Sequence, residues 1–369
     1  RKESSAASDV YKRQYQYSYN YQNWYPSAEY ETNNTIKNVG LFDLTPFSKF
    51  EIKSDKAHQE LQKICTANVK DEVGKCTYTH MLNTDGGIET DLTVVCVEKN
   101  HFRIISSAAT RERDKFHIKK HLSKDIELKD ITDDLCVFGL FGPKSRDLIK
   151  TISADSFDND TFKFGSAKHI TIEGIKVWAQ RLSYVGELGY ELYVDFKDAK
   201  KIYELLIEKG RDFNLSNCGM HAMDIMRMES GFLHWGHDIS PEENQYQAGL
   251  SFTISNKKEV DFIGKQALEK IKKEKTKSRF AMFTLKESKP GEPLLLHDEP
   301  IYLDDKIIGR STSGNYSFNF KKNLVFGYIN SGFSDEELKS KNLFIEVEKQ
   351  KYPISVQVGA LKRTNYKNL

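Results

Sequence analysis

The sequence predicts an α+β fold followed by a separate all-β barrel or sandwich. Two patterns indicate the first part. Strands rich in Val, Ile and Phe alternate with amphipathic helices from "NVGLFDLTPFSKFEI" onward, and one stretch predicts three antiparallel strands in succession. The third observation is a change of pattern at about Arg279, where short strands are separated by "KPGEP", "LDDKIIG" and "TSGNYS". A chain of 369 residues, 38% of them hydrophobic, can bury cores in two or three such domains.

The chain begins with a segment that has no helical or strand periodicity. Its end, "YQYSYNYQNWYP", is tyrosine-rich and low in complexity. We expect residues 1–23 to be disordered and to include a partly non-native leader. The main domain is then predicted over residues 24–274 and the C-terminal barrel over 275–369. The lysine-rich stretch "LEKIKKEKTKS" between them predicts a solvated helix end and linker.

Within the main domain, "TYTHMLNTDGGIETDLTVVCVEKNHFRIIS" predicts the three antiparallel strands, because turn residues lie at 83–87 and 99–100. The segment "DAKKIYELLIEKG" predicts a helix with Ile202, Leu205 and Leu206 on one face and Gly210 as its stop. The apolar segment "NCGMHAMDIMRMESGF" predicts a second helix, which Gly231 ends.

Composition and motifs exclude several classes of protein. With Lys+Arg 55 against Asp+Glu 53, the charge balance gives no sign of nucleic-acid binding. No apolar run approaches the ~20 residues of a membrane span and no signal peptide is evident, so we expect a cytoplasmic protein without membrane contact. The five cysteines are scattered, without a CxxC pair, and are expected to be reduced. The absence of GxGxxG and of a phosphate loop indicates that this chain encodes no flavin or NAD fold.

Asp91 lies at the head of a strand that is apolar on both faces. Such a strand is buried, and a carboxylate there is costly to desolvate unless it is paired or used. Asp91 is therefore a candidate site residue. A solvated turn aspartate at the mouth of the strand explains the sequence equally well.

The stretch "RLSYVGELGYELYV" predicts a strand, a tight turn and a second strand, and it carries two glutamates, Glu187 and Glu191. Glu191 shares a strand face with Tyr193, opposite the face of Tyr190 and Leu192. If that face meets solvent, Glu191 is an ordinary surface residue.

Arg227 is an unusual residue on the predicted apolar helix "HAMDIMRME". It could pair with Asp224 three positions earlier, or present its guanidinium group to a carboxylate ligand. Nearby residues have a spacing that resembles a metal site, C-x2-H followed by H-x2-H-D: Cys218, His221, His234, His237 and Asp238. The segment "FLHWGHDISPEE" predicts an irregular loop, so we expect hydrogen-bonded histidines and no metal.

Four motifs, in this order and spacing, resemble the aminomethyltransferase family, the T-protein of glycine cleavage: "GKCTYTHMLNTDGGIETDLTV", "RLSYVGELGYELYV", "MDIMRMESGFLHWGHDISPEENQYQAGL" and "DFIGKQAL". "NVGLFDLTPFSKFEI" and "WGHDISPEE" are more similar to the folate-binding half of dimethylglycine and sarcosine dehydrogenases. The resemblance runs from about Trp24 to the end.

The resemblance implies a cloverleaf of two α+β subdomains and a C-terminal β-barrel around a channel for tetrahydrofolate. In it, Glu191 would hold the exocyclic amine and ring N–H of the pterin, and Tyr78 and Tyr184 would line the ligand. Arg227 would meet a carboxylate of the glutamyl tail. Asp91 would lie beside the reacting folate nitrogens, stabilise a methylene iminium derived from a methylated amine, and move protons as 5,10-methylenetetrahydrofolate forms.

Dehydrogenases of this group also carry an FAD domain that makes the iminium, and we expect FAD to act only through a missing domain or a partner chain. The chain alone is expected to bind folate without oxidising an amine. Three alternatives remain: a glycine cleavage aminomethyltransferase served by a lipoyl carrier, a dimethylsulfoniopropionate-type demethylase, and a folate-binding scaffold. The scaffold proteins carry a cysteine motif where this chain has "LSYVGELG", and the "NVGLFDLTPFSKFEI" start disfavours the demethylase.

Overall fold

The computed structural model describes residues 15–18, 21–362 and 366–367. The predicted disorder of the leader therefore falls mostly outside the described residues. In the described part of the leader, 15–18 and 21–23 belong to no helix or strand, and the rings of Tyr15 and Tyr17 contact Trp24. Within the described ranges, no helix combines the length and apolar character needed to cross a bilayer.

The main domain contains two sheets, to which the strands β1–β11 belong. They are β1 (Val39–Asp43), β2 (Ser48–Lys53), β3 (Cys76–Leu82), β4 (Ile88–Glu98), β5 (His101–Ser106), β6 (Leu128–Asp130), β7 (Leu135–Phe141), β8 (Ala167–Ile172), β9 (Ile175–Gln180), β10 (Gly189–Asp195) and β11 (Leu215–Cys218). Its helices are α1 (Tyr25–Lys37), α2 (Ala57–Ile64), α3 (Arg111–His121), α4 (Ser145–Lys150), α5 (Phe196–Gly210), α6 (Met220–Glu229) and α7 (Lys265–Glu274), and α8 (Asp335–Lys339) lies in the C-terminal part of the chain.

The first sheet has the strand order β3-β4-β5-β2-β6, and its pairings are antiparallel. The predicted three-strand meander is confirmed as β3, β4 and β5. Its turns use the expected residues, because Gly86 (φ +87°) and Asn100 (φ +62°) adopt the left-handed conformation there. One face packs on α2 and α3 through an apolar core that includes Phe50, Leu61 and Ile118.

The second sheet has the order β11-β1-β7-β10-β9-β8, in which only the β1–β11 pair is parallel. Tyr190, Leu192 and Val194 of β10 pack into the core under α5, as their alternation predicted. The prediction of a strand before the "VGELG" turn is wrong. β9 ends at Gln180, and residues 181–188 form an irregular connection before β10 begins at Gly189.

The two predicted helices exist as α5 and α6. Ile202 and Leu206 are fully buried along α5, and Leu205 packs at the edge of the same core. The helix ends at Gly210, but Gly210 keeps a right-handed φ of −64°, and Asn214 (φ +52°) is the residue that reverses the chain. Gly231 (φ +72°) follows α6 in the expected left-handed conformation.

The predicted C-terminal barrel is confirmed. Six strands close in the order β12-β15-β14-β13-β16-β17, and their bounds are β12 (Ser278–Leu285), β13 (Pro300–Leu303), β14 (Lys306–Ser317), β15 (Lys322–Asn330), β16 (Leu343–Val347) and β17 (Gln350–Gln357). The lysine-rich stretch before it is the end of α7 and a short linker.

Apolar clusters hold the three sheets together. One cluster joins the inner faces of the two main-domain sheets, with Val95 and Ile105 on one side and Val137 and Tyr193 on the other. Another cluster joins the barrel residue Phe326 to the loops that follow α6. Burial of these contacts fixes the two sheets and the barrel around a common space.

Candidate functional site

A cavity of ≈ 980 Å³ lies where the two main-domain sheets and the barrel meet. Most of its wall is apolar or aromatic, and a small number of polar side chains project into it. A large apolar cavity with few convergent polar groups is the usual form of a small-molecule site. All five site residues predicted from the sequence lie in its wall: Tyr78, Asp91, Tyr184, Glu191 and Arg227.

Asp91 lies on β4 directly opposite His80 of β3. Its Oδ1 atom is buried without a hydrogen-bond partner among the described residues, 3.7 Å from His80 Nε2. Burial raises the pKa of Asp91 to about 7, a shift that the Tyr78 hydroxyl opposes and the charge of Asp114 increases. The solvated turn aspartate is therefore not what the structure contains. At neutral pH this carboxyl group can both hold and release a proton.

His80 does not provide a positive charge for Asp91. It is fully buried, and burial lowers its pKa to about 3, so the imidazole is neutral at physiological pH. Its Nδ1 atom lies 3.0 Å from Thr253 Oγ1, and its Nε2 atom lies 3.3 Å from the Tyr78 hydroxyl oxygen. His80 thus orients its neighbours without neutralising the carboxylate.

Tyr78 contributes an aromatic ring to the cavity wall. It is 41% exposed, and it stacks on Phe252 with ring centroids 6.4 Å apart and planes at 29°. Phe252, on the short 3-10 helix Ser251–Thr253, is itself 73% exposed, because it projects into the same space. Together the two rings form an aromatic wall beside Asp91, suited to a flat ligand.

Glu191 is half-buried on β10, and its side chain faces the cavity. Tyr193 Oη donates a hydrogen bond to Glu191 Oε2 at 2.9 Å. Burial raises the pKa of Glu191 to about 7, and the bond from Tyr193 opposes the shift only in part. The alternative of a solvent-facing strand glutamate is thus wrong, because the second main-domain sheet turns this face toward the cavity.

Tyr184 lies in the irregular connection 181–188. Its hydroxyl donates to the carbonyl oxygen of Leu233 at 3.0 Å, and its ring stacks on Phe232 with centroids 6.1 Å apart and planes at 17°. Burial raises the pKa of Tyr184, so its hydroxyl remains protonated. These contacts hold the ring in the cavity wall.

Arg227 is 1% exposed, and its guanidinium group is held by side chains of this chain. Nε donates to Asp224 at 2.7 Å, Nη1 to Asp238 at 2.5 Å, and Nη2 to Ser313 of the barrel at 2.9 Å. The internal pairing with Asp224 is confirmed, and the two carboxylates raise the pKa of Arg227 against the effect of burial. Contact with a ligand carboxylate stays a prediction.

The candidate metal residues do not converge. The Asp238 carboxylate accepts from Arg227, Thr312 and Ser313, and the His221 ring stacks on Trp24 with centroids 4.8 Å apart. The rings of His234 and His237 contact each other at 4.6 Å. Across the described ranges, no group of three or more His, Cys, Asp and Glu side chains is arranged to hold a metal ion. The five cysteines are free thiols.

Sequence reasoning missed four residues of the site: His80, Gln180, Tyr193 and Phe252. Tyr193 shares the strand face of Glu191, so alternation was a usable signal. His80 lies opposite Asp91 only because of the β3–β4 register, and Phe252 enters the cavity from a loop distant in sequence. Gln180 carries no sequence signal that distinguishes it from other strand-end glutamines.

The fold and this cavity define a class of protein: a T-protein-type fold with a carboxylate-bearing central pocket. The GCVT N-terminal domain matches residues 4–258, and the glycine cleavage T-protein C-terminal barrel domain matches residues 279–360. The chain therefore belongs to the glycine cleavage T-protein family, as the motifs indicated.

Two relatives and one solved structure are similar to this chain over most of its length. Mitochondrial dimethylglycine dehydrogenase of Rattus norvegicus is 33% identical over 93% of this chain, which covers 40% of that protein's length. Aminomethyltransferase of Anoxybacillus flavithermus is 30% identical over 80% of each chain. The glycine cleavage system aminomethyltransferase T from Bartonella henselae superposes with a TM-score of 0.81 at 18% identity, over 95% of each chain, which shows the shared fold. The chain thus spans less than half the length of the dehydrogenase relative.

Proposed function

We propose that this chain binds tetrahydrofolate and transfers to it a one-carbon unit captured as a methylene iminium, giving 5,10-methylenetetrahydrofolate. The iminium would come from oxidative N-demethylation of the dimethylglycine or sarcosine type. One observation carries the proposal: two carboxyl groups, Asp91 and Glu191, face one largely apolar cavity, each with its pKa raised to about 7.

The residues fit the folate ligand on three counts. The cavity of ≈ 980 Å³ is at the upper end of volumes typical of small-molecule pockets. Glu191 has no ion-pair partner among the described residues, and its carboxylate can accept two parallel hydrogen bonds from the amine and ring N–H of a pterin. Within the described part of the chain, Asp91 Oδ1 is buried without a partner in the same wall, so a ligand can satisfy it.

Tetrahydrofolate, when bound, supplies the nucleophilic nitrogens that accept the one-carbon unit. The protein supplies a protonatable group beside them in Asp91, whose pKa of about 7 suits proton transfer at neutral pH. When ionised, the same carboxylate stabilises a cationic donor electrostatically, because the apolar wall screens little of its charge. The neutral His80 leaves that charge uncompensated.

The walls of the cavity also limit hydrolysis. Tyr78, Phe252, Tyr184 and Phe232 place aromatic surface around the carboxylates. An iminium held there meets little water, and water would convert it to an amine and formaldehyde. Proximity of donor and acceptor in one enclosed space adds to the rate.

The source of the iminium is a further part of the proposal. The dimethylglycine dehydrogenase relative is more than twice as long as the matched segment, so we propose an FAD-dependent domain or partner chain as the source, with FAD bound there. The aminomethyltransferase relative, which is covered over 80% of its length, supports a second candidate in which a lipoyl carrier delivers an aminomethyl group.

The first test is calorimetric titration of tetrahydrofolate, under reducing conditions, into the wild-type chain and Glu191→Ala. We expect saturable binding that weakens at least tenfold in the variant, about 1.4 kcal/mol. Glu187→Gln is the matched control, because Glu187 lies on the same stretch but outside the cavity wall. Absence of binding to a folded wild-type chain contradicts the proposal.

The two donors are separated by product analysis. Tetrahydrofolate and the chain are incubated either with an amine-oxidising flavoprotein and dimethylglycine, or with an aminomethyl-lipoyl carrier protein. Mass spectrometry then measures 5,10-methylenetetrahydrofolate against formaldehyde. Faster product formation in the first mixture, lost in Asp91→Asn, supports the iminium route, and activity only in the second supports the aminomethyltransferase.

A further inference from the structure

Gln180, the last residue of β9, has a buried amide group without a partner in the described part of the chain. The side chain is 0% exposed, and neither its oxygen nor its nitrogen forms a hydrogen bond with the described residues. The residue nevertheless lies in the wall of the cavity. A buried polar group without a partner destabilises the folded state, and here two such atoms belong to one side chain.

The position of Gln180 is fixed relative to Glu191. The two residues are direct partners in the antiparallel pairing of β9 with β10. Directly paired side chains lie on the same face of a sheet, with Cβ atoms about 4.5–5.5 Å apart. The amide and the carboxylate therefore approach a ligand from neighbouring points of one surface.

We infer that Gln180 binds the pteridine edge next to the edge that Glu191 holds, an inference that rests on the proposed function. Around a 2-amino-4-oxopteridine, the amine and N3–H that Glu191 accepts are flanked by the carbonyl O4 on one side and by N1 on the other. Both flanking atoms are hydrogen-bond acceptors, so the Gln180 amide NH2 donates to either O4 or N1.

The reduced ring continues this pattern. In tetrahydropteridine, N5–H lies beside O4 and N8–H lies beside N1, so each flank presents an acceptor followed by a donor. A primary amide offers a donor and an acceptor side by side, which matches either flank. Because the Gln180 side chain is 0% exposed, binding includes its rotation toward the cavity.

The test uses Gln180→Met, with Gln180→Leu as a second variant if the first folds poorly. Both remove the polar atoms at similar volume. Tetrahydrofolate affinity is measured by calorimetry, and the free energy of unfolding by urea titration. We expect the Gln180 variants to be at least as stable as the wild type, because the unpartnered atoms are gone, yet to bind at least tenfold more weakly.

Gln62→Met is the matched control. Gln62 is also a buried glutamine, but its Nε2 donates to Asn68 at 2.7 Å and to the carbonyl oxygen of Val69 at 3.0 Å, away from the cavity. This variant should lose stability and keep its affinity for tetrahydrofolate.

The outcomes separate the inference from the proposed function. If the wild type binds tetrahydrofolate and the Gln180 variants bind within twofold of it, the inference is overturned and the proposed function stands. If the Gln180 variants instead lose stability as Gln62→Met does, the amide has a structural role and the inference is again overturned. If the wild type does not bind, both fail.

Discussion

Glu187 and Glu191 lie four residues apart on one stretch of chain, and the fold places their carboxylates in different surroundings. Glu187 is buried outside the cavity wall, paired with Lys362 from the C-terminal segment. Glu191 faces the cavity, and among the described residues its hydrogen-bond donor is the neutral Tyr193. The first carboxylate is satisfied within the fold, and the second keeps its hydrogen-bonding capacity for a ligand.

The same contrast separates two other ionisable groups that line the cavity, Arg227 and Asp91. Arg227 is satisfied by Asp224, Asp238 and Ser313, and it joins α6 to β14. Asp91, in the same cavity, has an oxygen, Oδ1, to which no described residue donates a hydrogen bond. Burial alone thus does not identify a functional residue. The informative feature is a buried polar atom that the protein leaves unsatisfied.

The replacement of Asp91, whose Oδ1 atom has no partner among the described residues, is expected to have the largest effect. Asp91→Asn keeps the size of the side chain but removes the group that transfers a proton. We expect the rate of 5,10-methylenetetrahydrofolate formation to fall about 10²–10⁴-fold. The change should leave tetrahydrofolate affinity within severalfold of wild type. A variant that keeps a tenth or more of the wild-type rate assigns the proton transfer to another group.

Glu187→Ala tests the carboxylate that is paired within the fold. It leaves the Lys362 ammonium group buried without its counterion, and breaking such a buried pair costs about 3–5 kcal/mol. We expect the free energy of unfolding in urea to fall by about 3 kcal/mol, with tetrahydrofolate affinity unchanged. The double variant Glu187→Ala, Lys362→Met should recover part of the lost stability. A loss of affinity without a loss of stability would reverse the roles assigned to the two glutamates.

Glu191→Gln should show the opposite pattern. The carboxamide keeps the shape of the side chain but cannot accept two hydrogen bonds from a pterin. Affinity for tetrahydrofolate is therefore expected to fall at least tenfold, while the free energy of unfolding at pH 8 stays equal or rises, because a partly desolvated charge has been removed. Parallel calorimetry and urea titration measure both. A stability loss similar to that of Glu187→Ala contradicts the binding role.

The parts of this structure that sequence predicts depend on short-range pattern. The alternation of side chains predicted that Asp91 and Glu191 lie on strands. Glycine predicted the end of α6, and turn residues predicted the limits of the strands in the β3–β5 meander and in the barrel. Sequence did not reveal that Asp238 and Ser313 would surround Arg227, because those contacts depend on how the loop after α6 meets the barrel. Nor did it reveal the missing partner of Gln180, because an unsatisfied atom is defined by everything packed around it.

The raised pKa values of Asp91 and Glu191 predict a pH dependence of stability. In the unfolded chain these groups titrate near pH 4, and in the folded chain near pH 7. Between these values the folded state binds more protons, so stability falls as pH rises from about 4 to 7 and then levels off. Subtracting the unfolding free energies of the double variant Asp91→Asn, Glu191→Gln from those of wild type at each pH isolates this contribution. If this difference in unfolding free energy does not change with pH, the two groups do not take up the predicted protons on folding.

Tyr193→Phe is expected to have the smallest effect, and it tests how firmly the cavity carboxylate is held. Tyr193 Oη donates the hydrogen bond at 2.9 Å that orients Glu191, and it stabilises the ionised form of that carboxylate. Its loss should weaken tetrahydrofolate binding by about 1 kcal/mol, roughly fivefold, and move the onset of binding to higher pH. Binding titrations at pH 6.5 and pH 8 measure both effects. Equal weakening at the two pH values would mean that Tyr193 shapes the pocket without controlling the ionisation of Glu191.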